Sequence, residues 1–267
     1  MFADQTVSKG LKLVNFFGFV IMIGCNAAAN IVPLNGLNTG EVSDLYPNLF
    51  TPASFTFSIW GLIYFALALF FLYNTNAIGK FMDKGIVNEI GSLFFLSCIL
   101  NSVWIVLWHY LWIGATVVVM LLLLIVLLRI YWIIQNRTFI NYYDKVFVKI
   151  PFSLYLGWIT VATVANITAF LVDLGWNGFG LSESFWTVAM IAVATLIVAR
   201  MVYAYKDVVY GLVLLWTLTG IGYRHYITLE QAYSSVITAV LAAGALTLVV
   251  ILIALIKSIK GKNKYTF

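Results

Sequence analysis

The chain has 267 residues, 63% of them hydrophobic and 9% charged, with a mean hydropathy of +1.00. Soluble domains run near a quarter charged, so composition excludes a water-soluble globule and predicts an all-α, polytopic membrane helical bundle. The net charge of +5 comes with no basic run interleaved with aromatics, so nucleic acid is not an expected partner.

Hydropathy predicts about eight transmembrane helices, each roughly 16–24 residues long. In chain order they are Leu13–Val32, Phe55–Tyr73, Ile90–Trp112, Gly114–Ile134, Ile150–Leu171, Phe185–Tyr203, Val208–Tyr223 and Ser234–Ile256. Lys9 and Lys12 before an apolar run that ends at Cys25 also fit a cleavable leader. Met22, three residues before that cysteine, argues against it. The first span carries Asn15, Asn26 and Asn30, read first as helix-to-helix glue. The segment Pro33–Thr51 has turn residues but also Leu37, Leu45, Tyr46, Leu49 and Phe50, which predicts a lid folded over the bundle. Gln135–Lys149 reads as a plain basic connector, and Val172–Ser184 as an interfacial loop. Trp132, Trp176, Trp186 and Trp216 read as membrane-interface belt residues. The eighth span, rich in Ala, predicts close helix packing or a dimer face. The tail from Ile259 to Phe267 reads as a basic end.

Charge sets the expected orientation. Fourteen of the fifteen Lys and Arg fall in alternate segments on one side, and Arg224 alone falls on the other. The positive-inside rule then predicts an integral, multi-pass protein with both termini cytoplasmic, in the plasma or inner membrane if bacterial. No ionisable residue lies at the middle of a predicted span, which removes the usual carrier groups for proton or ion coupling. The same absence argues against acid–base or nucleophilic catalysis, so an enzyme is not the expected reading. His109 beside Glu41, Asp44 or Asp173 is one alternative, and a lone interfacial histidine next to Trp108 is the plainer one. Cys25 and Cys98 read as small buried hydrophobes, and no cluster has metal-ligand spacing.

What remains is Trp, Tyr and Asn at helical spacing inside uncharged spans. At ~100° per residue, Tyr155, Trp158, Ala162 and Asn166 fall within an arc of about 80°. Asn101, Trp104, Trp108 and Trp112 share a similar arc, and Trp60-Gly61-Leu62-Ile63-Tyr64 precedes them. Amides facing hydrocarbon are costly, so these faces should turn inward around an aromatic, uncharged pocket.

These residues resemble the TspO/MBR family of tryptophan-rich sensory or translocator proteins over about residues 30–171. Trp60-Gly61 with Tyr64 resembles its Trp-Gly-x-x-Tyr, Leu100-Asn101 with Trp104 its Leu-Asn-x-x-Trp, and Tyr155-Leu156 with Trp158, Ala162 and Asn166 its fifth-span pattern. Ser58, Ser102 and Leu154 stand where the family pattern has Pro, Trp and Pro. The resemblance implies a five-helix bundle over residues 1–171; the hydropathy reading adds three further transmembrane helices in 172–267, which have no counterpart in that family, and a basic cytoplasmic tail. The resemblance implies a ligand site at Trp60, Asn101, Trp104, Trp108, Tyr155, Trp158, Ala162 and Asn166, with Pro52 and Trp60 shaping its entrance. It further implies membrane lipid and a hydrophobic small molecule as partners, a homodimer, and no obligatory cofactor. A porphyrin or haem is among the ligands implied, as are sterol-like molecules. The expected function is thus a sensor or carrier for a hydrophobic ligand. The alternatives are a facilitative transporter of a neutral solute or a light- or oxygen-dependent porphyrin-degrading enzyme.

Overall fold

Eight long helices carry the chain in the computed structural model, which describes residues 7–75, 77, 84–137 and 142–262. They are α1 (Lys9–Ile31), α2 (Ile59–Asn74), α3 (Lys84–His109), α4 (Ile113–Gln135), α5 (Ile150–Asp173), α6 (Glu183–Tyr205), α7 (Val208–Tyr223) and α8 (Ser234–Lys262). Among the described residues there is no strand. Seven of the eight are long and apolar enough to cross a membrane. The exception, α7, has 16 residues and is continued by a π-type turn, Arg224–Thr228. The expected basic tail from 263 onward lies outside the described residues, as do the stretches 78–83 and 138–141 of two connectors.

Local chemistry places several helix starts. The Ser8 hydroxyl accepts from Leu11 N at α1, Ser182 from Phe185 N at α6, and Asp207 from Tyr210 N at α7. Each satisfies one of the N–H groups that a first turn leaves open. The turn between α3 and α4 falls at Tyr110–Trp112, with Leu111 at φ 62°. Trp112 therefore sits outside α3, 66% exposed, and does not share the face of Asn101, Trp104 and Trp108 as expected.

The chain divides into two compact units. The first holds residues up to Val42 and Ser58–Ile159; the second holds Ser43–Phe57 and Thr160 onward. Helix α5 thus contributes its first ten residues to one unit and its remainder to the other.

In the first unit α3 packs against both α1 and α4. Gly18 allows the approach of α1: a Cβ there would lie 2.6 Å from Phe95 Cδ2. Phe70, Phe94 and Phe152 from α2, α3 and α5 meet edge to face at 5.0–6.1 Å between ring centroids. These offset geometries are the favourable ones for aromatic quadrupoles. Near the start of α5, Asp144 is only 1% exposed and accepts a 2.6 Å hydrogen bond from the Tyr73 hydroxyl. Tyr73 also stacks on Phe147 at 5.1 Å. The segment expected to be a plain connector is therefore packed, because a buried carboxyl needs partners.

In the second unit α8 packs on α6 and α7. Ile251 of α8 fits over Gly211 of α7, where a Cβ would lie 2.9 Å from its Cδ1. The segment Ser43–Phe57 is anchored to α7 and its continuation. Ala53 N donates to Gly220 O at 3.1 Å, and Trp216 Nε1 donates to Thr56 O at 2.9 Å. A His225 ring nitrogen bonds Leu49 O at 2.8 Å, and Arg224 pairs with Asp44 at 2.7 Å. Trp216 is thus a tether for this segment, where its position had read as a belt residue. Trp132 is exposed, with the Arg129 guanidinium 4.4 Å above its ring.

Candidate functional site

Within the first unit, six aromatic rings form a cluster with Trp60 at its centre, in contact with four of the others. One turn along α2, Tyr64 stacks on it at 5.4 Å and 15°. Trp104 of α3 lies at 6.0 Å, and Tyr155 and Trp158 of α5 at 6.1 Å, both edge-on. Trp104 in turn stacks on Trp108 at 5.7 Å and 19°. Spacings of three and four residues on α2, α3 and α5 produce this, because they put successive rings on one helix face. Trp60, Trp104, Trp108, Tyr155 and Trp158 are all buried. The rings fill one another's space, so a ligand would enter by parting them.

Asn101 closes the cluster on one side. Its Oδ1 accepts from Asn26 Nδ2 at 2.7 Å and from the Tyr64 hydroxyl at 3.5 Å, and its Nδ2 donates to the Tyr155 hydroxyl at 3.1 Å. One fully buried amide therefore ties α1, α2, α3 and α5 together. The glue expected of the span-one asparagines is observed for Asn26, and Asn30 accepts from the Thr39 hydroxyl at 3.0 Å. Asn15, fully buried, has neither amide atom hydrogen-bonded. Trp60 Nε1 is likewise buried without a hydrogen-bond partner. An open N–H in a dry site costs about 1–3 kcal/mol and is a ready donor for a ligand acceptor.

On another side the cluster meets the segment after α1. Trp108 Nε1 donates to Thr39 O at 3.2 Å, and the Asn35 amide donates to His109 O at 3.0 Å. The His109 ring, fully buried, bonds Leu34 O through Nδ1 at 3.1 Å and lies 3.3 Å from the Thr39 hydroxyl through Nε2. Neither expected reading of His109 describes this: its partners are a carbonyl and a threonine, with no carboxylate, and it is not a bare interfacial ring. The first part of the expected lid, up to Val42, is in this way fastened over α3. Replacing His109 with Phe leaves Leu34 O and Thr39 short of a partner. The expected loss is about 1–3 kcal/mol, read as faster amide hydrogen exchange over residues 34–42 with α4 unchanged.

Of the eight expected site residues, the first unit brings together Trp60, Asn101, Trp104, Trp108, Tyr155 and Trp158. Ala162 and Asn166 lie further along α5, in the second unit; Asn166 is buried and Ala162 partly so. Pro52 also belongs to the second unit, where it faces Gly220. Tyr64, Asn26, Thr39 and His109 join the six. Only Tyr64 carried a motif signal; the others are placed by long-range hydrogen bonds that no local spacing encodes. Among the described residues no group of His, Cys, Asp and Glu is arranged to hold a metal ion.

Comparisons with known proteins identify the family. No curated protein and no solved structure matches the chain. The family model described as TSPO-like protein matches residues 12–255. That stretch covers all eight helices, beyond the 30–171 over which the motifs were legible. Together with the apolar helices, it makes this an integral, multi-pass membrane protein of the TspO type, and the chain belongs to the TSPO-like protein family.

Proposed function

We propose that the protein binds a hydrophobic ligand at the Trp60 cluster and serves as a sensor or carrier for it, with both termini cytoplasmic as the Lys and Arg distribution favours. A tetrapyrrole, a sterol-like molecule or a lipid fits the chemistry. The observation that carries this reading is Trp60: a buried indole at the hub of four other rings, with an N–H that meets no acceptor. Flat rings give a planar ligand apolar walls, and the open N–H gives one polar anchor. The polar atoms of Asn101 are engaged with Asn26, Tyr64 and Tyr155, so its role is to hold the walls in register. Ala162 and Asn166 remain part of the proposed site through the family pattern.

Titration of the purified protein with protoporphyrin should quench tryptophan fluorescence saturably. Trp158→Ala should weaken that binding about tenfold, equivalent to ~1.4 kcal/mol. Trp216→Phe, a change in the second unit, should leave it unaltered. Equal affinity in the wild type and in Trp158→Ala would remove the cluster as the binding site.

A further inference from the structure

The second unit holds a cavity of about 250 Å³. Its walls are the segment Pro47–Phe50, the last turns of α5, the hairpin around Asn177 and the first turns of α6. Two indoles line it: Trp176 and Trp186 stand 5.0 Å apart at 58°, and both are partly buried. Their placement is fixed. Trp186 Nε1 donates to Gly178 O at 2.9 Å, and the hairpin turns through left-handed backbone at Gly178 and Phe179. A Cβ at Gly178 would lie 3.2 Å from Trp186 Nε1, so only glycine gives both the turn and the contact without strain.

The polar side chains around the cavity are mostly spent on the backbone. Asn48 accepts from Phe50 N and Thr51 N and donates to Tyr46 O. Asn177 accepts from Phe179 N, and the Thr168 hydroxyl donates to Val164 O. One charged group lines the cavity, Glu183, exposed in the first turn of α6 and one turn from Trp186. Glu183 makes no hydrogen bond or ion pair among the described residues. No Lys or Arg lines the site. Arg224, just after α7, is paired with Asp44 of the tethered segment. Arg200 is seventeen residues further along α6, about 25 Å away. Asp173 adds to the same sign of field: after burial, it is the second cause that raises the pKa of the Tyr46 phenol, next to Pro47 of the rim.

We propose that this cavity binds a small organic cation, a quaternary or protonated amine bearing an apolar group. Trp176 and Trp186 offer their negative faces to the cation, and Glu183 supplies the counter-charge at the mouth. The volume lies just under the usual range for drug-sized ligands, which limits the occupant to roughly a dozen non-hydrogen atoms. An anion is disfavoured because the lining offers it no basic group. A neutral molecule gains at most one hydrogen bond from Glu183 and no charge pairing. This site is distinct in chemistry from the uncharged Trp60 cluster, and its test is separate.

The full-length protein in nanodiscs of zwitterionic lipid is titrated calorimetrically with benzyltrimethylammonium, N-benzylacetamide and benzylsulfonate. The cation should bind saturably at one site, at least tenfold more tightly than the other two probes. Glu183→Gln should weaken the cation about tenfold and leave N-benzylacetamide unchanged. Trp186→Leu should abolish cation binding; if that variant does not fold, Glu183→Gln, an exposed and nearly isosteric change, decides alone. Trp104→Phe should leave cation binding intact, whatever it does to protoporphyrin binding. Absence of saturable cation binding, equal affinity for the three probes, unaltered binding in Glu183→Gln, or loss in Trp104→Phe would each overturn the assignment.

Discussion

Trp60→Ala is expected to destabilise the protein by about 3–5 kcal/mol, the range for truncating a buried aromatic side chain. The indole is 6% exposed and touches the rings of Tyr64, Trp104, Tyr155 and Trp158, so its removal leaves a cavity that no single neighbour can fill. Trp60→Phe supplies the contrast. Because Nε1 has no partner, the smaller ring forfeits no hydrogen bond, and a cost of under about 1.5 kcal/mol is expected. Denaturant-induced unfolding in mixed micelles, followed by near-UV circular dichroism, measures both. If the two variants are equally damaged, the ring contacts are not what Trp60 contributes. The pair also separates stability from function: Trp60→Phe should fold and yet bind protoporphyrin more weakly, since it lacks the open donor.

Gly220→Ala is the second change with a large expected effect. A methyl group at this position of α7 would overlap Thr56 Oγ1 and lie 3.0 Å from Pro52 Cβ. Thr56 is fully buried and its backbone carbonyl is held by Trp216, so it cannot swing aside as a long flexible side chain would. The bond from Ala53 N to Gly220 O draws the two backbones together at the same place. Overpacking of this kind costs about 1–3 kcal/mol, and here it comes with the loss of the tether. The expected readout is protease sensitivity between Ser43 and Phe57, with melting of the remaining helices lowered by a few degrees. Gly222→Ala is the control. Its Cβ would meet only the Val240 side chain, at 3.3 Å, so little change is expected. Equal behaviour of the two variants would mean that the segment docks by other means.

The helices were legible in the sequence because lipid imposes one requirement, a long run without charge, and the chain meets it plainly. Their ends were less so. Helix α3 begins at Lys84, six residues before its apolar run, since hydrogen bonding continues where hydropathy stops. The short α7 was legible as an element, but its π-type extension through Thr228 was not, and with it the burial of His225. Asp144 was hidden among the basic residues of a connector, because nothing local announces that Tyr73, about seventy positions earlier, waits for it. The six residues grouped at the Trp60 cluster were legible from spacing and motif together, for aromatic side chains at intervals of three and four mark a face. The pairing of Trp176 with Trp186 was not legible for a related reason. Each taken alone near a predicted boundary fits a belt, and only the left-handed hairpin at Gly178 and Phe179 turns the two toward one another.

The hydrogen bonds of Asn101 have a consequence in time. Helices enter a membrane in the order of synthesis, and an amide in hydrocarbon takes the first partner it finds. When α3 is inserted, Asn26 of α1 and Tyr64 of α2 are already present, while Tyr155 of α5 is not yet made. The bond from Asn26 to Asn101 Oδ1 can therefore form early and pre-align α1 with α3, where Gly18 lets them meet closely. The Nδ2 of Asn101 meets the Tyr155 hydroxyl only once α5 is made, and Trp158, three residues further along α5, lies edge-on to Trp60. One side chain thus joins helices made at different times: its acceptor meets α1 and α2, made before α3, and its donor meets α5, made after it.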